Sequence, residues 1–364
     1  MSRDTALAHL VDHIQAARAE QRALLIRGGG TKDWYGEPPQ GEPLDTRSLS
    51  GISSYEPSEL VVTVRAGTTL KELEAELAKK GQCLPFEPPH FGSAGTIGGM
   101  VAAGLAGPAR AAVGGVRDYV LGATMVDGRG DVLTFGGQVM KNVAGYDVAR
   151  ALAGSMGVLG VIAEVSLKVL PTPRATATLR FETPQQADAL AAMQRVGLSS
   201  MPLNASAWCN GFLLLRFSGA RAAVDAALGK LGGDKLQALE ASRFWEGLRD
   251  QRDAFFVAAG HDVAQGATLW RLSVPATTPP LKLDGPTLIE WGGALRWLVS
   301  RAPHAVVRHA AESAGGHATL YHARERATQV FSPLAAPLAN IHRELKRQFD
   351  PDRVFNPGRL YPGL

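Results

Sequence analysis

The first chemical signal in this chain is a shortage of side chains. From Gly92 to Asp118 there are eight glycines in 27 residues, and Arg110 is the single charged side chain between Gly92 and Val116. Glycine takes positive φ at no steric cost and leaves its amide N–H uncovered, so such a stretch suits a backbone that closes on a buried anion. A loose surface loop would be rich in Ser, Asn, Asp and Lys, whereas Ile97, Met100, Val101 and Leu105 are interleaved here. The run predicts a buried, ligand-facing loop. Another glycine run, the first in chain order, is Arg27-Gly28-Gly29-Gly30-Thr31-Lys32, and it follows the apolar segment 23–26. Taken alone it fits a phosphate cradle and a plain tight turn alike. Asp33 stands where the Rossmann GxGxxG needs its last glycine, and the Walker GxxxxGK[ST] is absent.

Other chemistries fall away on spacing. A serine-hydrolase elbow at Ser155 needs glycine at position 153, which is Ala153. Cys83 and Cys209 are the only cysteines and form no CxxC, which fits a reducing compartment and excludes a cysteine-ligated iron-sulfur cluster within this chain. His309, His317 and His322 are spaced by eight and five residues, matching neither a zinc helix pair nor a finger, so no metal site is expected. The 38 basic and 34 acidic residues give a net charge of +4 with no Lys/Arg block, compatible with an anionic ligand and a poor case for nucleic acid. The amino-terminal residues enter a helical pattern without an apolar signal core, so a cytoplasmic location is expected.

The elements that must position the glycine runs read as follows. Leu7, Leu10, Val11 and Ile14 mark one helix face; segments 23–26 and 60–64 read as strands; Thr69 and Glu72 form a capping box opening a helix with Leu70, Leu73 and Leu77 inside. Segments 120–126 and 132–135 predict a hairpin through Asp127-Gly-Arg-Gly130, and 161–170 predicts a strand with one wet face. Pro171-Thr-Pro173 marks a boundary. Beyond it strand (176–181), helix (184–196), strand (211–217) and helix (220–231) predict an antiparallel sheet covered by helices, with a similar sequence near 270–274 and 292–299. Residues 334–349 read as an amphipathic helix.

Three stretches together resemble a known family: RGGGTK, GTIGGMVAAG, and residues 107–171 beginning GPARAAVGGVRDYVLG, joined by the terminal FDPDRVFNPGRLY. They are similar to flavoproteins that bind FAD in the manner of vanillyl-alcohol oxidase, and within that family to the FAD-binding E subunits of bacterial glycolate oxidase (glycolate dehydrogenase). The resemblance implies an α+β fold. A two-lobed FAD-binding domain would occupy residues 1–172 and an α+β cap domain 173–332, with 333–364 returning to the FAD domain. It implies that Arg27, Gly28, Gly29, Gly30, Thr31 and Lys32 take the pyrophosphate, with Gly95, Thr96, Ile97, Gly98 and Gly99 approaching from the other side. Gly104, Gly107 and Pro108 would run along the ribityl and isoalloxazine portion, closed by Arg117 and Asp118. Gly154, Gly157 and Val161 would lie near the adenine and ribose. Lys141 and Asn142 would sit close to the flavin, where a cation stabilises the reduced ring; Lys141 also fits a solvated loop lysine.

Two departures matter. Thr31 occupies the loop where many relatives carry a flavin-linking histidine, so non-covalent FAD is expected. The HxGDGNxH signature of the catalytic 2-hydroxy-acid dehydrogenases is reduced to Gly316-His317-Ala-Thr-Leu-Tyr-His322, without Asp-Gly-Asn. The resemblance therefore implies an FAD-binding subunit of a glycolate oxidase complex, working with a sister FAD subunit and an iron-sulfur subunit. Its substrate would be a small 2-hydroxy acid, and its partners would bring it to the inner face of the membrane. The alternatives are a self-sufficient FAD-dependent dehydrogenase holding substrate with Arg308, His317 and His322, and a non-catalytic assembly subunit. Tyr146, His317 and His322 are available as bases, and no catalytic residue is assigned.

Overall fold

Apolar spacing and caps set the elements of the computed structural model, which describes residues 4–137, 147–326 and 328–364. The helix Thr5–Ala19 starts where the Asp4 carboxylate accepts the Leu7 amide, and it buries Leu10, Ile14 and Ala17. The helix Leu70–Lys79 opens on the predicted capping box of Thr69 and Glu72 and buries Leu70, Leu73 and Leu77. Two compact units result. The first comprises Met1–Leu105, Gly115–Pro171 and Pro333–Leu364; the second comprises Ala106–Gly114 and Thr172–Ser332.

The first unit is built on a five-stranded antiparallel sheet in the spatial order Ile52–Glu56, Val61–Arg65, Val161–Lys168, Val120–Val126, Val132–Gly136. Beside it Leu24–Arg27 pairs in parallel with Glu42–Asp45, a strand whose sequence, EPLD, lacks the β-branched residues that would announce it. Leu24, Val126, Val161 and Phe355 meet Leu10 and Ile14 in one core. Two expectations need correction. In the central strand Val161–Lys168 the expected wet face is wet only in part: Glu164 and Lys168 are half-exposed, but the Ser166 hydroxyl between them is buried in a 2.8 Å bond with Thr63. The second glycine run is not all loop: Ile97–Ala103 is a helix capped by Thr96, since Ile97, Met100 and Val101 stand at i, i+3 and i+4 and are buried.

The second unit carries an eight-stranded sheet in the order Asp234–Lys235, Ala175–Glu182, Phe212–Gly219, Leu203–Cys209, Thr287–Glu290, Leu295–Ser300, Thr268–Ser273, His317–Ala323. The helices Gln186–Gly197 and Arg221–Leu231 pack on one half of it. The helix His304–Ser313 covers Trp270, Leu272, Leu298 and Leu320 on the other half. Among the described residues no helix is long and apolar enough to cross a membrane.

Candidate functional site

The strand Leu24–Arg27 delivers the first glycine run to a fixed place. Leu24 is fully buried; its amide donates to Val354 O, and its carbonyl accepts the Asn356 amide at 2.9 Å. Immediately beyond the strand the backbone presses on its neighbours. A Cβ on Gly28 would overlap the Thr96 hydroxyl, and one on Gly29 would overlap the Ala94 carbonyl oxygen. The two glycine runs are therefore in contact, and they meet only because these positions carry no side chain. The amides of Gly28, Gly29, Gly30 and Thr31 have no acceptor among the described residues. Four consecutive unspent N–H groups on a turn form an anion-binding concavity.

The second run contributes differently from the sequence expectation of bare amides on both sides. Ile97 N donates to Thr68 O at 2.9 Å, Gly98 N to Ala66 O at 2.7 Å and Gly99 N to the Thr96 hydroxyl at 3.3 Å. This run supplies the Thr96 side chain and a close wall. Between residues 27–33 and Thr96, Gly99, Ala102, Met156, Asn356 and Arg359 lies a cavity of about 90 Å³. At its rim Arg27 is paired with Asp33 at 2.7 Å, and the Lys32 ammonium lies 5.7 Å from the Phe91 ring centroid.

A third element, not singled out residue by residue in the sequence, braces the cradle from the carboxyl-terminal segment. Arg359 is 5% exposed, and its guanidinium donates to the carbonyls of Lys32, Asp33 and Glu37. Asn356 accepts the Ile26 amide at 2.7 Å and donates to Met156 O at 2.7 Å, tying the strand to the turn around Gly157. Behind it Lys346, almost fully buried, donates to Val158 O, Phe355 O and Asp350 Oδ2 at 2.7–2.8 Å. Asp350 in turn accepts the amides of Val354 and Phe355. Burial pulls the Lys346 pKa below the ordinary lysine value, against the opposing attraction of Asp350. The one signal in the sequence was FDPDRVFNPGRLY as a block; nothing in its composition says which residue faces inward.

The remaining sequence-predicted residues are dispersed. Gly95 lies beside Thr31, and Gly157 beside Asn356. Gly98 packs on Ala66, Gly104 ends the helix Ile97–Ala103 against Gly154, and Val161 belongs to the core with Leu24 and Phe355. Asp118 accepts the Gly115 amide at 2.8 Å, and Arg117 is exposed. Gly107 and Pro108 belong to the second unit, where Gly107 O accepts the Trp291 indole N–H at 3.0 Å. Lys141, Asn142 and Tyr146 lie outside the described residues. Of the alternative substrate holders, Arg308 is buried, stacked 5.6 Å from the Trp270 ring, and bonded to Gln329 O and Ser332 Oγ. That makes it a brace and not a substrate ligand. Burial, reinforced by Arg326, lowers the His322 pKa from 6.5 to about 4, and burial with Arg271 lowers that of His317. Among the described residues no group of His, Cys, Asp and Glu could hold a metal.

Comparison with known proteins identifies the family to which the chain belongs. The FAD binding domain family matches residues 5–136. The chain is 45% identical to the glycolate oxidase subunit GlcE of Escherichia coli (strain K12), over 98% of this chain and 97% of that protein. The chain belongs to this family of FAD-binding flavoproteins. FAD is its cofactor. Other relatives match part of the chain: a D-lactate dehydrogenase of Archaeoglobus fulgidus is 31% identical over 52% of this chain and 43% of its own length. The glycolate oxidase subunit GlcD of Bacillus subtilis (strain 168) is 31% identical over 46% of this chain and 36% of that one. Among solved structures, an alkyldihydroxyacetonephosphate synthase aligns with a TM-score of 0.66 at 16% identity, covering 96% of this chain and 75% of that one. That likeness establishes the fold, the α+β flavoprotein fold that the family resemblance implied.

Proposed function

We propose that this family member is the FAD-carrying subunit of a glycolate oxidase (glycolate dehydrogenase) complex, in which glycolate is oxidised to glyoxylate. The observation that carries the reading is the row of unspent amides from Gly28 to Thr31, pressed against Thr96, in a chain similar over nearly its whole length to a glycolate oxidase subunit. When bound, FAD supplies the two-electron acceptor for oxidation of a CH–OH carbon.

The chain's own residues bind and orient. The Gly28–Thr31 amides would donate to the pyrophosphate oxygens, with Arg27 and Lys32 adding charge at the rim. Ala102, Ala103 and Met156 keep water from one side of the cradle. Arg359 holds the carbonyls of Lys32 and Asp33, which fixes the peptide planes just after the turn. With Thr31 in place of a linking histidine, the flavin is dissociable. Cys83 and Cys209 are free thiols and offer no cluster, so electrons leave through partners: a sister flavoprotein and an iron-sulfur subunit, at the cytoplasmic face of the membrane.

The test is co-expression with candidate neighbouring subunits and assay of glycolate oxidation with each omitted. The reading expects near-stoichiometric flavin on this chain and loss of activity when it is left out. A colourless chain, dispensable for glycolate oxidation, would contradict it.

A further inference from the structure

Trp291, in the second unit, adopts φ +54°, a left-handed backbone that is costly for a bulky aromatic residue and that persists where surrounding structure holds it for a purpose. Its indole N–H donates to Gly107 O at 3.0 Å, its carbonyl accepts the Ala294 amide, and its ring is buried. Two guanidinium groups lie against that ring, Arg110 at 4.9 Å and Arg271 at 5.2 Å from the centroid. Arg271 has no hydrogen-bond or ion-pair partner among the described residues.

The strand register defines the face. Arg271 stands opposite Thr319 and Trp297, and Ser273 stands opposite His317, so Arg271, Thr319 and His317 share one side of the sheet. The other side, with Trp270 and Leu272, is covered by the helix His304–Ser313, while on the Arg271 side the helix Ala254–Ala264 packs Phe256 against Trp297. Glu290, which the register also puts on the Arg271 side, accepts the Trp297 indole N–H at 2.8 Å. Two guanidinium groups on one indole, one of them without a counter-charge, make a site whose electrostatics are completed by an anion.

We propose that Arg271 and Arg110, stacked on Trp291, form a carboxylate seat for a small 2-hydroxy or 2-oxo acid, with Thr319 and His317 flanking the 2-oxygen. The carboxylate follows from this geometry, while the choice of a 2-hydroxy acid rests on the function proposed above. The seat gives the second unit a means of holding the acid without the Asp-Gly-Asn that the sequence lacks.

The experiment titrates the flavin-loaded full chain with oxalate, followed by calorimetry and tryptophan fluorescence, for wild type, Arg271→Met, Arg271→Lys and Arg110→Met. One saturable site is expected. Its affinity should fall about tenfold or more in Arg271→Met and Arg110→Met and return in part in Arg271→Lys, with FAD content unchanged. Wild-type affinity in Arg271→Met, or no saturable binding to a wild-type chain that carries FAD, would overturn the seat. Acetate binding as tightly as oxalate would overturn the role of the 2-oxygen. A chain without FAD that still binds oxalate by calorimetry would strike the cofactor reading and leave the seat standing.

Discussion

As proposed above, negative charge is met in the first unit by main-chain amides at Gly28 to Thr31, with no room for a side chain at Gly28 and Gly29, and in the second by side chains, Arg110 and Arg271, laid on an indole. A backbone cradle has donors fixed by the fold and is broken by adding atoms. A side-chain seat is broken by removing them. The first must therefore be braced from outside, and the carboxyl-terminal knot of Lys346, Asp350, Asn356 and Arg359 does this.

The largest effect expected on the cradle comes from Gly29→Val, since even a Cβ there overlaps the Ala94 carbonyl. The purified variant should carry essentially no flavin, read as the ratio of flavin to protein absorbance, while its far-ultraviolet circular dichroism stays that of the wild type. Removing the buried charge in Lys346→Met strands Asp350 and should destabilise the chain by about 3–5 kcal/mol in urea unfolding. The seat in the second unit should be untouched, with oxalate affinity unchanged below the transition.

Asn356→Ala removes the bonds to Ile26 and Met156 and should cost about 1–3 kcal/mol while speeding FAD release several-fold. The smallest effect belongs to the second unit and to pH. His322 is held neutral, its pKa lowered from 6.5 to about 4 by burial and then by Arg326. The unfolded chain binds that proton more readily, so the stability this residue contributes is complete above pH 6.5 and is lost as pH falls toward 4. In His322→Gln the melting temperature should fall less steeply over that range than in wild type.

Legibility followed the same division between main chain and side chains. The glycine cradle was readable because removal of side chains is itself a sequence signal, and Thr69 with Glu72 announced a helix start by residue type alone. The helix Ile97–Ala103 was hidden because glycines mask an i, i+3, i+4 spacing. The strand Glu42–Asp45 was hidden because Pro43 and two carboxylates disguise it. Arg271 and Trp291 carry no local signal: they are 20 residues apart, on a strand and a turn, and only the sheet register and the returning segment at Gly107 bring them together. Asn356 and Arg359 were visible only as part of a family block, since which face of a turn points inward is a tertiary fact.

The central claim is that the amides of Gly28, Gly29, Gly30 and Thr31 hold the FAD pyrophosphate. Residue-resolved amide hydrogen exchange, measured on the flavin-stripped chain before and after FAD is restored, tests it most directly. The account predicts that these four amides exchange freely without FAD and become protected with it, while Ile97 and Gly98, already bonded to Thr68 and Ala66, change little. Unchanged exchange at residues 28–31 in a chain that has bound FAD would contradict it.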